Sequence, residues 1–253
     1  MPFMQLFPPF CPACRENLAR NGESFTCQKC GRVYPMRGGL VDFLASLPLT
    51  DAQQVVRRTF DTLSSSYDNA VVRLVEGLGC PWDDYTARLE TFMAGAGGKI
   101  ILDVGSGTSF PVGPFVPRTS IYVGVDVSAE MLGHAQSLFG DTLNVALWNV
   151  DAERIPLPDS CVDLCLALLS FNVFPEPHKA AGEIRRVLKK DGSVFGTAFV
   201  QRPPEDLLSE RPVDPRFVRE AFSVFDPSAW KFTDETVGGI LFYSLARTAA
   251  VTA

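Results

Sequence analysis

The stretch KIILDVGSGTS, Lys99 to Ser109, constrains the fold more than any other part of the chain. Ile100 to Val104 is apolar but for Asp103, the pattern of a strand in a parallel sheet buried on both faces. Gly105-Ser106-Gly107 follows at once. Glycines there let a ligand approach backbone amides at the switch point of an open α/β sheet. The next run, SIYVGVDVS, ends in Asp126, 23 residues after Asp103. An acidic residue at the end of a second strand is placed to accept hydrogen bonds from a diol such as that of a ribose. LNVALWNVDAERIPLPDSCVDLCLALLSF then supplies Asp151, a loop and a very apolar strand. AAGEIRRVLKKDGSVFGTAFV reads as a helix, a turn at Asp191-Gly192 and another strand, and the tail from Ala221 as a closing strand pair. This alternation predicts a doubly wound α/β sheet.

A dinucleotide-binding dehydrogenase is the rival on this pattern. Against it, Phe110 occupies the third position of G-x-G-x-x-G, where a side chain blocks close helix–strand packing. The segment SFPVGPFVPR holds three prolines and a glycine after the loop, so any helix there is short or broken.

At the front of the chain, Cys11, Cys14, Cys27 and Cys30 are spaced C-x2-C-x12-C-x2-C. Each pair can sit on a tight turn with both thiolates facing one ion, which gives the four sulfur ligands of a closed structural zinc site. The all-sulfur set favours zinc over iron. Such a closed set leaves no open position for catalysis. Pro12 and Gly31 suit the turns, and the short segments between suit small strands. A fragment of this size needs the metal for much of its stability and is expected to have a core separate from the large domain. Residues 1–47 are read as this zinc-ribbon, 48–95 as linker and lid helices, and 96–253 as the cofactor-binding domain. In the middle part, Thr50 or Asp51 caps a helix carrying Val55, Val56, Phe60 and Leu63, and DDYTARLETFMAGA forms another, ended by Gly97-Gly98.

These motifs resemble the class I S-adenosylmethionine-dependent methyltransferases, with a UbiE-like, methyltransferase type 11 core. LDVGSGTS, GVDVSAEML, NVDAERIPLPDSCVDLCLAL and EIRRVLKKDG carry the likeness. It implies a Rossmann-like sheet of seven strands, the last antiparallel. By the same resemblance, Asp103 and the Gly105-Ser106-Gly107 loop touch the methionine end of S-adenosylmethionine. Asp126 binds the ribose hydroxyls, Val127 and Met131 flank the adenine, and Asp151 and Ala152 bond to it. Leu168, at the end of the fourth strand, joins this cofactor set. Ser109 stands where the family often has a third glycine. CPAC…CQKCGRVYPMRGGLVDFL is similar to the zinc-ribbon of RlmA-type 23S rRNA methyltransferases, without the histidine-bearing second knuckle of those modules.

Acceptor-facing candidates are Tyr67, Asp68, Phe171, Asn172 and His178. TFDTLSSSYD resembles a UbiE-like segment in which the tyrosine roofs the cofactor. Asn172 stands where many relatives carry a histidine. His178 is the candidate base near the mouth, whereas His134 reads as a surface residue. The loop 201–216 is expected to close over the substrate.

The net charge of −6 is unevenly spread, with +2 in residues 1–47. RNA-wrapping enzymes are usually basic. A small-molecule acceptor, such as a biosynthetic intermediate, is therefore the leading expectation, ahead of rRNA contacted through the ribbon and of an inactive fold that binds a partner protein. No apolar run reaches the ~18 residues a membrane span needs. MPFMQLFPPF lacks the basic n-region of a signal peptide, so a cytoplasmic location is expected. The sequence leaves the oligomeric state open.

Overall fold

The structure is a computed structural model and describes residues 9–140, 142, 144–203 and 212–248. The first eight residues, read above as no signal peptide, lie outside it, as do 204–211 of the expected closing loop.

Four short strands open the chain: β1 (Leu18–Asn21), β2 (Ser24–Cys27), β3 (Val33–Arg37) and β4 (Leu40–Asp42). Three helices follow: α1 (Asp51–Leu63), α2 (Tyr67–Gly77) and α3 (Trp82–Met93). The alternating part comprises β5 (Ile100–Val104), β6 (Ile121–Asp126), α4 (Ala129–Phe139), β7 (Val145–Asn149), β8 (Val162–Leu168), α5 (Pro177–Val187) and β9 (Leu188–Phe199). It closes with α6 (Pro215–Ala221) and the hairpin of β10 (Trp230–Val237) and β11 (Ile240–Arg247).

The strands form one sheet in the order β1-β2-β3-β4-β7-β6-β5-β8-β9-β11-β10. From β7 to β10 this is the seven-stranded Rossmann-like order, with β11 antiparallel to both β9 and β10. Helices cover both faces, so β5 to β8 are buried on each side and read as apolar runs. Between β5 and β6, where prolines interrupt the pattern, only a single 3₁₀ turn at Gly113–Phe115 remains.

Two features differ from the sequence reading. Asp191-Gly192 makes no turn. Both lie within the long β9, at a register break opposite Val162–Leu164 of β8. The break lets the strand absorb the extra residues as a bulge. The ribbon also has no separate core. Its last strand, β4, pairs in parallel with β7, Val41 opposite Trp148 and Asp42 opposite Asn149. Cys11, Phe25, Tyr34 and Phe43 belong to the same buried apolar cluster as Trp148, Val150 and Ile155. A module too small to bury its own apolar residues has used the exposed edge of the large sheet. Among the described residues, no helix is long and apolar enough to cross a membrane.

Candidate functional site

The carboxyl ends of β5, β6 and β8 meet at the switch point of the sheet, and a cleft of about 670 Å³ opens there, part of it to solvent. The glycine loop forms its floor. Gly105 N and Ser106 N donate to Val125 O at 2.9 and 3.1 Å, which bends the loop across the end of β6. Gly105 and Gly107 adopt φ of +70° and +51°, the left-handed region open to glycine. A Cβ at Gly107 would come within 3.0 Å of Met131 Cε, so the missing side chain keeps the cleft open. Ser109 keeps a glycine-like φ of +60° although it is serine, and its side chain is fully buried near the Tyr122 hydroxyl, 3.0 Å away.

Asp126 sits at the end of β6 and is half-buried. Its carboxylate accepts from Gly107 N at 2.9 Å and from Ser128 N at 2.8 Å. Burial nevertheless pushes its pKa up to about 6, because the cost of desolvating the charge outweighs these bonds. Two accepted bonds leave a carboxylate free lone pairs for a ligand. Asn149, at the end of β7, donates to Asp126 O at 3.0 Å and to Val127 O at 2.9 Å, fixing the turn that carries both residues. Asp151 follows β7. Its carboxylate accepts from Gln53 Nε2 at 2.7 Å and from Glu153 N at 3.1 Å, and burial raises its pKa.

Helix α1 covers this side of the cleft. Thr50 and Gln53 form a capping box: Thr50 Oγ1 accepts from Gln53 N, and Gln53 Oε1 accepts from Thr50 N at 2.9 Å. The Gln53 amide then reaches Asp151 and Glu153. One turn and two turns on, Val56 and Phe60 line the cleft. Asp61, near the helix end, accepts from Ser128 Oγ at 2.6 Å. Tyr67 opens α2 and meets Phe60 edge-on, with ring centroids 5.9 Å apart. Asp68 beside it accepts from Thr108 Oγ1 at 2.6 Å and ties α2 to the glycine loop. The far wall is the segment after β8: Leu168, Leu169, Ser170, Val173, Phe174 and Pro175. No lysine, arginine or histidine is among the described lining residues.

The structure thus brings together Tyr67, Gly105, Gly107, Asp126, Val127, Met131, Asp151, Ala152 and Leu168 around one cleft. Asp68, bonded to Thr108, and Phe171, buried in the core, are not among the lining residues, and four further candidates stand apart from the cleft. Asp103 is 2% exposed and accepts from Tyr122 Oη at 2.7 Å, turned into the core beneath the loop. Burial also raises its pKa to about 6. Ser106 lies buried against Gly124, where its Oγ would be 2.9 Å from an added Cβ. Asn172 spends both ends of its amide on Phe199, donating to its carbonyl at 2.9 Å and accepting from its N–H at 3.1 Å. His178 is exposed in the first turn of α5 and is not among the lining residues, as His134 on α4 is not. Gln53, Phe60, Leu169, Ser170 and Phe174 line the cleft without having been singled out. Of these only Gln53 has a local signal, the T-x-x-Q of a capping box.

The second constellation lies at the front. The Sγ atoms of Cys11, Cys14, Cys27 and Cys30 all lie within 4.8 Å of one another, with Cys11–Cys30 at 3.7 Å and Cys14–Cys27 at 3.4 Å. The two knuckles repeat one geometry. Arg15 N donates to Cys11 O and Gly31 N to Cys27 O, at 2.7 and 2.9 Å, and Arg15 and Gly31 each take a positive φ. The Tyr34 hydroxyl lies 3.2 Å from Cys11 Sγ. Its ring packs on Phe43, and Phe43 packs on Trp148 of β7.

Residues 102–196 match the family model described as a methyltransferase domain. Over 234 residues the chain is 26% identical to an uncharacterized chloroplastic methyltransferase of Arabidopsis thaliana, covering 83% of this chain and 66% of that protein. It is 26% identical over 176 residues to a ubiquinone/menaquinone biosynthesis C-methyltransferase of Hahella chejuensis, covering 65% of this chain and 67% of that one. The chain therefore spans about two thirds of the length of these relatives. Among solved structures, an S-adenosylmethionine-dependent methyltransferase from Aquifex aeolicus matches with a TM-score of 0.55 at 20% identity, covering 79% of this chain and all of that one. At that identity the likeness speaks for the fold alone.

Proposed function

We propose that this chain, whose residues 102–196 are a methyltransferase domain of the S-adenosylmethionine-dependent class, methylates a small-molecule acceptor whose attacking atom is a thiolate or an activated carbon. The cleft lining carries this reading: two carboxylates, a glycine floor, apolar walls, and no cation or histidine among the described lining residues. Two carboxylates suit the diol and amine donors of a nucleoside, and the space above Gly107 that a Cβ would fill suits its close approach. When bound, S-adenosylmethionine supplies a methyl group on a positively charged sulfur, open to in-line displacement.

Asp126 accepts from the ribose hydroxyls. Val127 and Met131 flank the adenine, and Asp151 accepts from its amine beside the Ala152 amide. Tyr67 and Phe60 roof the cleft and exclude water. Asp103 acts from behind, holding Tyr122 and the loop above it. With Asn172 bonded to Phe199, His178 exposed, and Asp126 and Asp151 taken up by the nucleoside, no carboxylate or imidazole of the described lining is left to serve as general base. Catalysis then rests on proximity and desolvation, which suffice for an acidic or electron-rich acceptor. The Hahella chejuensis relative, named as a ubiquinone/menaquinone biosynthesis C-methyltransferase, supports an activated carbon and a biosynthetic role.

The four front cysteines hold a structural zinc ion. Tetrahedral zinc with sulfur at ~2.3 Å places neighbouring sulfurs about 3.8 Å apart, close to the 3.7 Å between Cys11 and Cys30. The ribbon is poorly suited to RNA. Phe25 and Tyr34, the rings on which bases would stack, are 1% and 0% exposed. Arg15, Lys29 and Arg37 pair with Glu183, Glu16 and Asp42.

The test is calorimetry with S-adenosylhomocysteine and with NADH, followed by a gel-shift titration with ribosomal RNA fragments at two salt concentrations. Saturable binding of the first ligand alone is expected. NADH binding would restore the dehydrogenase rival. Micromolar, salt-sensitive RNA binding that is lost on neutralising Arg32 and Arg37 together would replace the small acceptor with rRNA.

A further inference from the structure

We propose that Ser170 holds the amino-acid end of the bound cofactor through its side-chain hydroxyl, a role that rests on the reading of the cleft as an S-adenosylmethionine site. Ser170 lines the cleft just after β8 and is 4% exposed. Its Oγ has no hydrogen-bond partner among the described residues. A buried hydroxyl left without a partner is costly and uncommon, so each case calls for a ligand or a reason. Two other buried polar atoms share this state, Ser106 Oγ and Trp148 Nε1, and neither residue lines the cleft.

The backbone is arranged to present Ser170. Leu169, immediately before it, adopts φ 55° and ψ 4°. The left-handed region is costly for a residue other than glycine. The conformation is held because Leu169 N donates to Thr197 O at 2.8 Å, with Thr197 Oγ1 3.1 Å away. Thr197 in turn lies 2.8 Å from the buried Tyr85 hydroxyl. A strained residue fixed from behind, next to an unpartnered hydroxyl in a cleft, is a pattern of functional sites.

Position within the cleft selects which end of the cofactor it meets. A Cβ at Gly105 would come within 2.8 Å of Ser170 Cβ, so Ser170 is seated against the glycine floor rather than at the mouth. Asp126 and Asp151, which take the ribose and adenine, follow β6 and β7 on one side of β5, whereas Ser170 follows β8 on the other. The α-ammonium and α-carboxylate therefore fall on the Gly105 side. They meet no lysine, arginine or histidine among the described lining residues, and the group Ser170 offers them there is a neutral hydroxyl. A hydroxyl offers one donor to a carboxylate and two lone pairs to an ammonium, so Ser170 can serve either.

The experiment compares two ligands on the full chain by calorimetry. S-adenosylhomocysteine carries the amino-acid end, and 5′-methylthioadenosine shares its nucleoside but lacks that end. Ser170→Ala is expected to weaken the first on the order of tenfold, the cost of a lost hydrogen bond to a charged group, and to leave the second unchanged. Retained methylthioadenosine affinity also shows that the variant is folded. Equal losses for both ligands would make Ser170 a general packing residue and overturn the proposal. So would unchanged affinity for both. A wild-type chain that binds neither ligand would instead overturn the cofactor reading beneath it.

Discussion

Asp126 and Asp103 show how two neighbouring aspartates come to differ in role. Both are raised to about 6 by burial. Asp126 faces the cleft and is bonded by two backbone amides, whereas Asp103 faces the core and is bonded by Tyr122. Only an ionised Asp126 is a strong acceptor for a diol, and it loses its charge as the pH falls through about 6. Affinity for S-adenosylhomocysteine should therefore rise between pH 5 and 7 and then level off. Asp151, also raised by burial, adds to the same trend. Asp126→Asn should flatten most of the step, Asp103→Asn should preserve it, and Asp126→Ala should cost about 1.5–3 kcal/mol at neutral pH. Calorimetry across that range checks all three, and a step that vanishes with Asp103 instead would exchange the two assignments. Stability of the free protein runs the other way. A carboxyl raised above its unfolded value favours the fold below the unfolded pKa, and this contribution is lost as the pH rises through about 6.

Helix α1 is the element that turns an open cleft into a covered one. It buries Gln53, lays Val56 and Phe60 over the opening, and is clasped at both ends, by Gln53 to Asp151 and by Asp61 to Ser128. Gln53→Ala removes one clasp from a charged acceptor, a loss of roughly 1–3 kcal/mol. Amide exchange across residues 51–63 should accelerate about tenfold while β5 and β8 keep their protection, read by hydrogen-exchange mass spectrometry. Unchanged exchange would mean that apolar packing alone holds the helix. The helix itself was legible, because Thr50 as a cap and the spacing of Val56, Phe60 and Leu63 are local signals. What Gln53 grips was not, since Asp151 lies 98 residues further on. The same division recurs elsewhere. The apolar run of β5 and the glycines after it announced themselves, and Asp126, Asp151 and Met131 followed by interval. That Asp103 turns into the core was not legible, because its direction depends on Tyr122 in the next strand, nor was the bonding of the Asn172 amide to Phe199. Ser170 carries no spacing signal at all. Its place in the cleft lining follows a left-handed turn at a leucine, a residue with no preference for it.

For the molecule as a whole, the four front strands are an extension of the seven-stranded sheet. The cysteine spacing predicted their fold but not their attachment, because β4 finds β7 more than a hundred residues away. Three links join the cysteine cluster to the cleft. Phe10 N, beside the first cysteine, donates to Pro156 O in the loop that begins at Asp151. Phe43 N donates to Asn149 O, and Asn149 holds the carbonyls of Asp126 and Val127. Tyr34 reaches from Cys11 Sγ through Phe43 to Trp148. A metal that orders the two knuckles therefore also braces the segments carrying both cleft carboxylates. Elemental analysis should find one zinc per chain, lost in a Cys27→Ala/Cys30→Ala variant. Chelation should then do more than loosen the front of the chain. Exchange across 145–157 should speed up, affinity for S-adenosylhomocysteine should fall, and restoring zinc should reverse both. If the stripped protein binds S-adenosylhomocysteine as tightly as before, with 145–157 still protected, the two sites share a sheet without sharing stability. The shared apolar cluster argues for the coupled outcome, since a sheet edge held by Val41, Phe43 and Trp148 cannot lose its outer strands without exposing that cluster to water.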